Sequence, residues 1–374
     1  MTSAFTRPLK REHTMLMERA CIVTMKRICR IAATIACIAI ATQTHAQSSV
    51  QIYGIVDTWV GVQRYPSKSV SWQEGGGGLS TSFWGFGGKE DLGGGYKAIF
   101  AIEGFFRPQN GAYGSFNGDP LFSRNAYVGL STPAGTITLG RQSSLLYLQA
   151  CQFNPFYASF TFSPTIVQMY AGLGTYPAYK TDQGIIGGTA WSNAIQYGTP
   201  ELRGLTGRAM YAFGDSSTGN GSKQYSVQAS YRNGGFAAGG IYQYANFNST
   251  AGDLNALLKG FHSQSAAQLA ASYEFSIAKL YGEYTYTNDN VINRNFHVNM
   301  FEGGLSIAVG TSRILASYAY SRDSGGFNQT RQTASLGYDY PLSKRTDLYA
   351  VYMSDRFAGM SSGETAGVGI RSRF

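Results

Sequence analysis

Residues 268–287 read QLAASYEFSIAKLYGEYTYT, and apolar side chains recur there at every second position. In the first half of this segment, a mainly apolar set alternates with a mainly polar set: Leu269, Ala271, Tyr273 and Phe275 against Gln268, Ala270, Ser272 and Glu274. A period of two places the two sets on opposite faces of a β-strand. The segment therefore predicts two adjoining strands, each with one apolar face and one polar face.

The composition agrees with an all-β protein. The chain has 374 residues, of which 14% are charged and 14% aromatic, and 47 are glycine. Soluble domains carry about a quarter charged residues, and the high aromatic content argues against disorder. A membrane protein built from helices needs repeated apolar runs of about 20 residues. The one comparable run, residues 28–41, is too short, so a large barrel or two sandwiches remain.

The alternating pattern continues from Val50 to the C-terminus in sixteen segments. These are 50–63, 79–90, 95–106, 121–131, 135–141, 192–199, 204–214, 222–232, 235–246, 265–276, 277–288, 297–309, 311–322, 329–340, 344–354 and 364–374. Short connections alternate along the chain with long ones. An even strand count, with short periplasmic turns and long external loops, is typical of a closed membrane barrel.

A sandwich would also alternate, but its apolar face would meet another sheet. In a membrane barrel that face meets lipid, and aromatic residues gather at the strand ends near the headgroups. Several tyrosine pairs fall at the ends of apolar stripes: Tyr242/Tyr244, Tyr284/Tyr286, Tyr318/Tyr320 and Tyr338/Tyr340. This placement favours a 16-stranded antiparallel transmembrane β-barrel that forms a single domain over residues 47–374.

Residues 1–46 are predicted to be a cleaved secretory signal peptide. A basic start at residues 25–30 is followed by an apolar segment, 31–41, and by Thr44-His45-Ala46, which is the signal-peptide pattern. Residues 1–24 lack any periodic pattern, so we expect translation to begin at Met25. Cleavage would leave 23 basic and 19 acidic residues, a net charge of +4 instead of +9. Little basic surplus then remains to support nucleic-acid binding.

The longest connection covers about residues 142–191 and differs from the other loops. It contains Cys151, three prolines and many aromatic residues. A structureless loop of this length is usually functional or disordered. Its aromatic content indicates that it packs against a surface, and the barrel lumen offers one.

Several motifs along the mature chain are similar to those of beta-proteobacterial general porins. They lie at 47–57, 84–86, 90–95, 97–100, 124–130, 139–142, 154–156 and 343–350. The resemblance covers nearly all of residues 47–374 and implies a water-filled outer-membrane channel for passive diffusion of small hydrophilic solutes and ions. It also implies a homotrimer in contact with membrane lipid. From the residues themselves we expect no cofactor, no metal and no nucleic-acid partner. The C-terminal Phe374 looks like the signal by which such barrels are recognised for membrane assembly.

In this family the third external loop folds inward and narrows the pore, which implies a constriction loop at about 142–191. Basic residues on the wall face acidic residues on the loop, and the resulting field sorts solutes by charge. We expect the trimer contact on the early and last strands, where Gly54, Gly61, Gly367 and Gly369 would permit close approach.

The alternation itself suggests which charged side chains face the lumen. The alternation places Arg124 and Tyr127 on opposite faces of their strand. A charged side chain that faces hydrocarbon at mid-membrane costs about 2–4 kcal/mol. Arg124 should therefore point into the lumen or, alternatively, into a buried subunit contact. Arg208 should also point inward, and Lys97 and Glu103 share the inward positions of their strand. Asp182 is the natural loop partner for this wall, unless it is a solvated loop carboxylate.

Two positions depart from the family pattern. Phe83 and Gln196 stand where the family has arginines among the basic residues of the wall. Arg124, Arg208 and Arg141 would remain as basic residues of that wall. The transverse field should therefore be weak, which predicts mild anion preference. Phe83 and the loop tyrosines should also favour less polar solutes.

Signatures of enzymes are weak in this chain. The segment 85–90 lacks the Ser/Thr that follows lysine in a phosphate-binding loop, and neither His262 nor His297 has an assignable catalytic partner. Cys151 has no neighbour at metal-ligand spacing. We therefore expect no enzymatic activity. The alternative is an outer-membrane β-barrel enzyme or adhesin without open-channel activity.

Overall fold

A computed structural model describes residues 49–170, 188–214, 223–246, 261–291, 294–325 and 328–374. These residues belong to one compact unit, Ser48–Phe374. The predicted signal peptide and Asp182 lie outside the described residues, so the predictions made for them stand as predictions.

The described residues form eighteen strands and two helices. The strands are β1 Ser49–Arg64, β2 Ser71–Gly76, β3 Phe83–Gly93, β4 Tyr96–Arg107, β5 Ala112–Tyr113, β6 Asn125–Thr132, β7 Gly135–Ser143, β8 Ala190–Gly198, β9 Leu205–Ala212, β10 Gln224–Asn233, β11 Phe236–Asn246, β12 Phe261–Glu274, β13 Ala278–Val291, β14 Arg294–Val309, β15 Ser312–Ser324, β16 Thr330–Pro341, β17 Thr346–Phe357 and β18 Gly363–Arg373. The helices are α1 Leu145–Gln152 and α2 Pro164–Tyr170.

All strands except β2 and β5 close into one antiparallel barrel of sixteen strands. Strand β1 makes the closure because it changes partner along its length. Its first part, from Ser49 to Ile55, pairs with β3, and its second part, from Ile55 to Arg64, pairs with β18. The predicted sixteen-stranded barrel is confirmed, and a closed barrel leaves no unpaired edge.

Two parts of the first external loop differ from the sequence prediction. Residues 71–76 were expected in a loop but form β2, which pairs with β1 over Thr58–Gln63. The strand predicted at 79–90 begins only at Phe83. Residues 79 and 80 instead bind the Asp57 carboxylate through their backbone amides at 3.0 and 2.8 Å, which turns this segment away from the sheet.

The two faces of the wall have opposite polarity, and the apolar face points outward. Leu269 is 67% exposed, whereas its neighbour Gln268 is 1% exposed and lies on the buried face. A soluble protein buries its apolar face, but a barrel in lipid exposes it and keeps polar side chains inside. Among the described residues, no helix is long and apolar enough to cross a bilayer.

Helices α1 and α2 lie against the polar inner face of the wall. Ser144 caps α1 by accepting a hydrogen bond from the Tyr147 amide. The amide of Gln149, on α1, donates to the Gln268 carbonyl at 3.3 Å and accepts from Gln228 at 3.0 Å. On α2, Gln168 donates to the carbonyl of Ala319 and to the hydroxyl of Thr333 at 3.1 and 2.9 Å.

Apolar contacts complete the attachment of residues 144–170 to the wall. Phe156, Phe162 and Val167 pack with inward-facing side chains of the barrel. These wall residues are Trp59, Leu315, Tyr349, Val351 and Met353. Fully burying each large side chain stabilises the contact by about 1.5–3 kcal/mol. This part of the long loop is therefore held from several sides inside the barrel.

Candidate pore constriction

Three of the residues selected from the sequence meet in one cluster on the inner wall. Arg124 forms an ion pair with Glu103, and its guanidinium lies 4.1 Å from the ring centroid of Phe83. Glu103 also accepts hydrogen bonds from the Tyr53 hydroxyl and the Asn125 amide, both at 2.5 Å. The carboxylate is almost fully buried, while the guanidinium keeps more of its surface exposed.

The reasoning that placed Arg124 needs a correction. Tyr127 pairs with Ala101 on the inner face, whereas Val128 points outward. Strand β6 begins only at Asn125, so the alternation does not extend to Arg124. The side chain nevertheless reaches the inner face, where it is held by Glu103.

Arg208 and Gln196 lie on the inner face of neighbouring strands. Arg208 alternates in step with Met210 and Ala212, which pack in the cluster around α1. Gln196 pairs with Met210 in the register of β8 and β9. Lys97 shares the inward positions of Glu103 on β4, close to the short-turn end.

Arg141 is not part of the Glu103 cluster. It lies at an irregularity in the pairing of β7 with β8, between Gly140 and Gln142. Its Nε donates to the Ser123 carbonyl at 2.5 Å and its Nη1 to the Ser192 hydroxyl at 2.8 Å. Arg141 thus ties the segment before Arg124 to β8.

A buried ion pair that the sequence analysis did not select holds α2 to the wall. Arg331 is fully buried and binds both oxygens of Asp355, at 2.9 and 2.8 Å. Its Nη1 donates to the carbonyl of Val167 at 3.3 Å. Thr333 donates to Asp355 and accepts from Gln168. The parity of β16 already put Arg331 on the polar face, so its inward direction was readable from the sequence.

A second charged group occupies the short-turn end of the lumen. Arg313 binds Asp339 at 2.8 Å, while Arg371 and Arg373 bind Asp347 at 2.8 and 2.7 Å. The side chains of Arg313 and Arg373 are 57% and 40% exposed, whereas those of Asp339 and Asp347 are 4% and 6% exposed. The guanidinium groups of Arg313 and Arg373 thus line the surface, whereas Arg371 and the two carboxylates lie behind them.

Two more carboxylates are enclosed between the wall and the loop. Glu283 and Glu302 are directly opposite each other on β13 and β14, and both are buried. Ser317 donates to Glu302 at 2.7 Å. These carboxylates therefore present little surface to the lumen.

The Cys151 thiol of the loop is also nearly inaccessible to water. Burial raises the pKa of the Cys151 thiol on α1, although a hydrogen bond with Tyr147 acts in the opposite direction. Within the described part of the chain, no group of three or more His, Cys, Asp and Glu side chains could hold a metal ion.

Four glycines expected at a subunit contact instead make close contacts within the chain. A Cβ atom on Gly54 would lie 2.6 Å from the Phe374 ring, and one on Gly61 would lie 2.0 Å from the Ala366 carbonyl. Cβ atoms on Gly367 and Gly369 would collide with the rings of Trp59 and Tyr349. These positions therefore provide no evidence for a trimer contact.

Phe374 lies on the outer face, where the last strand meets the first. Its backbone amide and carbonyl both bond with Gly54, at 3.1 and 3.2 Å. Its ring covers Gly54 and is about half exposed. The side chain thus lies on the lipid side of the closure.

A closed barrel with an apolar outer face and a polar lumen that is crossed by its own loop defines an outer-membrane channel protein. Comparison with known proteins specifies which one: this chain belongs to the Gram-negative porin family, whose sequence model matches residues 32–359. The sequence-based assignments of family, fold and outer-membrane location are confirmed.

Individual relatives agree with this assignment. The chain is 32% identical to outer membrane porin protein 32 of Delftia acidovorans, over 81% of this chain and 83% of the relative. It is 27% identical to an outer membrane porin protein of Bordetella pertussis, over 94% of this chain and all of the relative. A solved structure, the anion-selective porin from Comamonas acidovorans, superposes with a TM-score of 0.72 at 27% identity. That superposition covers 88% of this chain and all of the other.

Proposed function

We propose that this porin conducts small hydrophilic solutes and ions by passive diffusion, with a weak preference for anions. This preference is supported by three lumenal ion pairs in which the arginine is more exposed than the carboxylate. In the pairs Arg124–Glu103, Arg313–Asp339 and Arg373–Asp347, the arginine side chain is several times more exposed than its carboxylate. An ion in the lumen therefore meets positive charge first.

Two further cations add to this surface. No carboxylate of the described residues lies within ion-pair distance of Arg208 or Lys97, and both side chains are on the inner face. In water, two unit charges about 4 Å apart interact by about 1 kcal/mol. An energy of this size favours one sign of ion about fivefold but does not exclude the other. The anion selectivity of the Comamonas acidovorans relative supports the same sign.

We further propose that residues 144–170 form the constriction and that the native unit is a homotrimer. The constriction is supported by the hydrogen bonds that fix α1 and α2 to the inner wall. The trimer is supported by the family and by the wide apolar outer face of β1 and β16–β18, where Val60, Leu336 and Val368 are exposed. Gel electrophoresis without heating tests the trimer, and migration as a monomer only would contradict it.

Planar-bilayer recording of the purified protein in a salt gradient tests the channel. We expect stepwise conductance, with steps in groups of three. The sign of the reversal potential should show that anions permeate more readily than cations. A silent protein with hydrolytic or adhesive activity would favour the alternative of a barrel enzyme or adhesin. Strong cation selectivity would contradict the proposed preference while leaving the channel itself intact.

A further inference from the structure

A cavity of about 240 Å³ opens between the loop tip and the short-turn end of the lumen. Three arginines, Arg313, Arg371 and Arg373, line it. Phe156 and Tyr157 from the loop also line it, together with Leu79 and Leu315. The lining of the cavity therefore combines cationic and aromatic side chains.

The guanidinium groups have hydrogen-bonding capacity beyond their ion pairs. Each guanidinium carries five N–H donors, and the ion pairs of Arg313 and Arg373 each use a single nitrogen, Nη2 and Nη1 respectively. Both side chains are substantially exposed and line the cavity, so they have donors available to a ligand there. Asp339 also borders the cavity, but it is buried behind Arg313. The local charge is three guanidinium groups against the two carboxylates that they bind.

We propose that this cavity is a binding site for aromatic monocarboxylates on their way through the pore. The planar fork of arginine matches a carboxylate in a bidentate geometry. The aromatic side chains accept a ring in stacked or edge-on contact. Drug-sized ligands occupy pockets of about 300–1,000 Å³, so a cavity below that range suits a ligand of about ten non-hydrogen atoms, such as benzoate.

The inference rests on the proposed function, because a solute reaches this site through the open lumen. The site lies on the short-turn side of the loop tip and is separate from the Arg124–Glu103 cluster. Occupancy should therefore interrupt ion current without changing the intrinsic ion preference of the empty pore.

Benzoate is the probe for the test, in both bilayer recording and equilibrium dialysis of the detergent-solubilised protein. We expect brief current interruptions at concentrations at least about tenfold lower than for acetate, inorganic phosphate or benzyl alcohol, since each lacks one half of the recognition. Equal action of benzoate and acetate would show that the aromatic side chains contribute nothing. If benzyl alcohol interrupts the current at the same concentration as benzoate, the arginines play no part in binding. If phosphate does so, the cavity binds anions without selecting an aromatic ring. Each of these outcomes overturns the proposal.

Two variants assign the effect to the cavity. Arg313→Gln should weaken benzoate binding about tenfold, and Arg313→Lys, which keeps the charge and supports Asp339, should weaken it less. Tyr157 has a left-handed backbone with φ 50°, which asparagine tolerates, so Tyr157→Asn removes the ring without backbone strain. The matched controls are Arg356→Gln on the outer face and Tyr113→Asn in an external loop. Benzoate binding that is unchanged in both Arg313→Gln and Tyr157→Asn would overturn the site.

The two measurements keep this proposal separate from the proposed function. A protein that binds benzoate in dialysis but shows no conductance would contradict the channel and leave the site intact. A conducting protein that fails to bind benzoate would contradict the site alone.

Discussion

The hydroxyl of Tyr349 donates a hydrogen bond of 2.5 Å to Oδ1 of Asp57, across the closure between the last strands and the first. Asp57 also accepts bonds from the backbone amides of Gly78, Leu79 and Ser80 at 3.0, 3.0 and 2.8 Å. The loop tip reaches the same place, since Ser159 and Thr161 donate to the carbonyls of Gly78 and Gly77. The Asp57 carboxylate thus joins the closure to the first external loop, and that loop in turn binds residues 159 and 161 of the long loop.

Gly369 is the residue that lets Tyr349 reach Asp57. A Cβ atom there would lie 2.2 Å from both Cζ and Oη of Tyr349, so we expect Gly369→Ala to displace the ring and to lower the free energy of unfolding by about 1–3 kcal/mol. Urea denaturation followed by circular dichroism measures this change. Gly303→Ala is the control, because its new methyl group would meet nothing within 4 Å. Equal losses in the two variants would contradict the explanation.

Arg331 should fix the loop without affecting ion preference. Arg331→Met removes the cation that binds the buried Asp355 carboxylate, and breaking a buried ion pair in this way typically lowers stability by about 3–5 kcal/mol. It also removes the bond to the Val167 carbonyl. We expect increased open-channel current noise with an unchanged reversal potential, because the guanidinium is fully buried. The double variant Arg331→Met/Asp355→Leu should recover most of the stability. The control is Arg356→Ala, which removes an exposed neighbouring charge and should change neither the stability nor the current noise. Quiet channels of normal stability in Arg331→Met would refute the role.

Arg124 should contribute directly to ion preference. Arg124→Ala removes the exposed cation and leaves the Glu103 charge behind it uncompensated, so we expect the ratio of anion to cation permeability to fall about fivefold. Adding Glu103→Gln should restore part of the ratio, because both charges are then gone. Arg356→Ala removes the same charge from the outer face and should leave the ratio unchanged. A reversal potential that does not move in Arg124→Ala would show that this cluster does not face the ion path.

The Cys151 thiol should be inert in the folded barrel. It is 2% exposed, and burial raises its pKa, so the reactive thiolate is scarce near neutral pH. We expect maleimide to label it only after unfolding. Because the unfolded chain loses this proton at a lower pH than the folded protein, stability should decline as pH rises above about 8.5, the ordinary thiol value. A Cys151→Ser/Ser361→Cys variant places the thiol in an exposed loop and should label rapidly. Rapid labelling of the folded native protein would contradict the buried placement.

Phe374 should matter for assembly and not for conduction. Its ring covers Gly54 on the outer face, so Phe374→Ser exposes that contact to lipid while the lumen is unchanged. We expect a lower yield in the outer membrane with normal conductance for each inserted channel. Phe374→Tyr keeps the ring and should insert normally. Equal membrane yields of Phe374→Ser and the native protein would sink this prediction.

The strands and their faces could be predicted because both depend on local alternation. The period of two along 329–340 placed Arg331 and Asp339 on the polar face, which is where the structure has them. Their ion pairs could not be predicted in this way, since Arg331–Asp355 and Arg313–Asp339 depend on the register between strands. Alternation also failed at Arg124, because the strand begins one residue later.

The helices in the long loop had no comparable signal. Six of the eight residues of α1 are buried, so the helix lacks the polar stripe by which an amphipathic helix is recognised. Its position depends on distant partners such as Gln268, which no local pattern connects to Gln149. The same holds for Asp57, an ordinary acidic residue in sequence whose carboxylate is bound by residues 78–80 and by Tyr349, two separate parts of the chain.

In three lumenal ion pairs, Arg124–Glu103, Arg313–Asp339 and Arg373–Asp347, the arginine is exposed and the carboxylate is buried, and this has a consequence for how such channels diverge. The net charge of each pair is zero, so ion preference depends on whether the arginine or the carboxylate faces the water. Exchanging Arg313 with Asp339 would keep the composition, the net charge and the pair itself, yet it would put a carboxylate at the surface. A lineage of pores can therefore reverse its ion preference through paired exchanges that leave its isoelectric point unchanged.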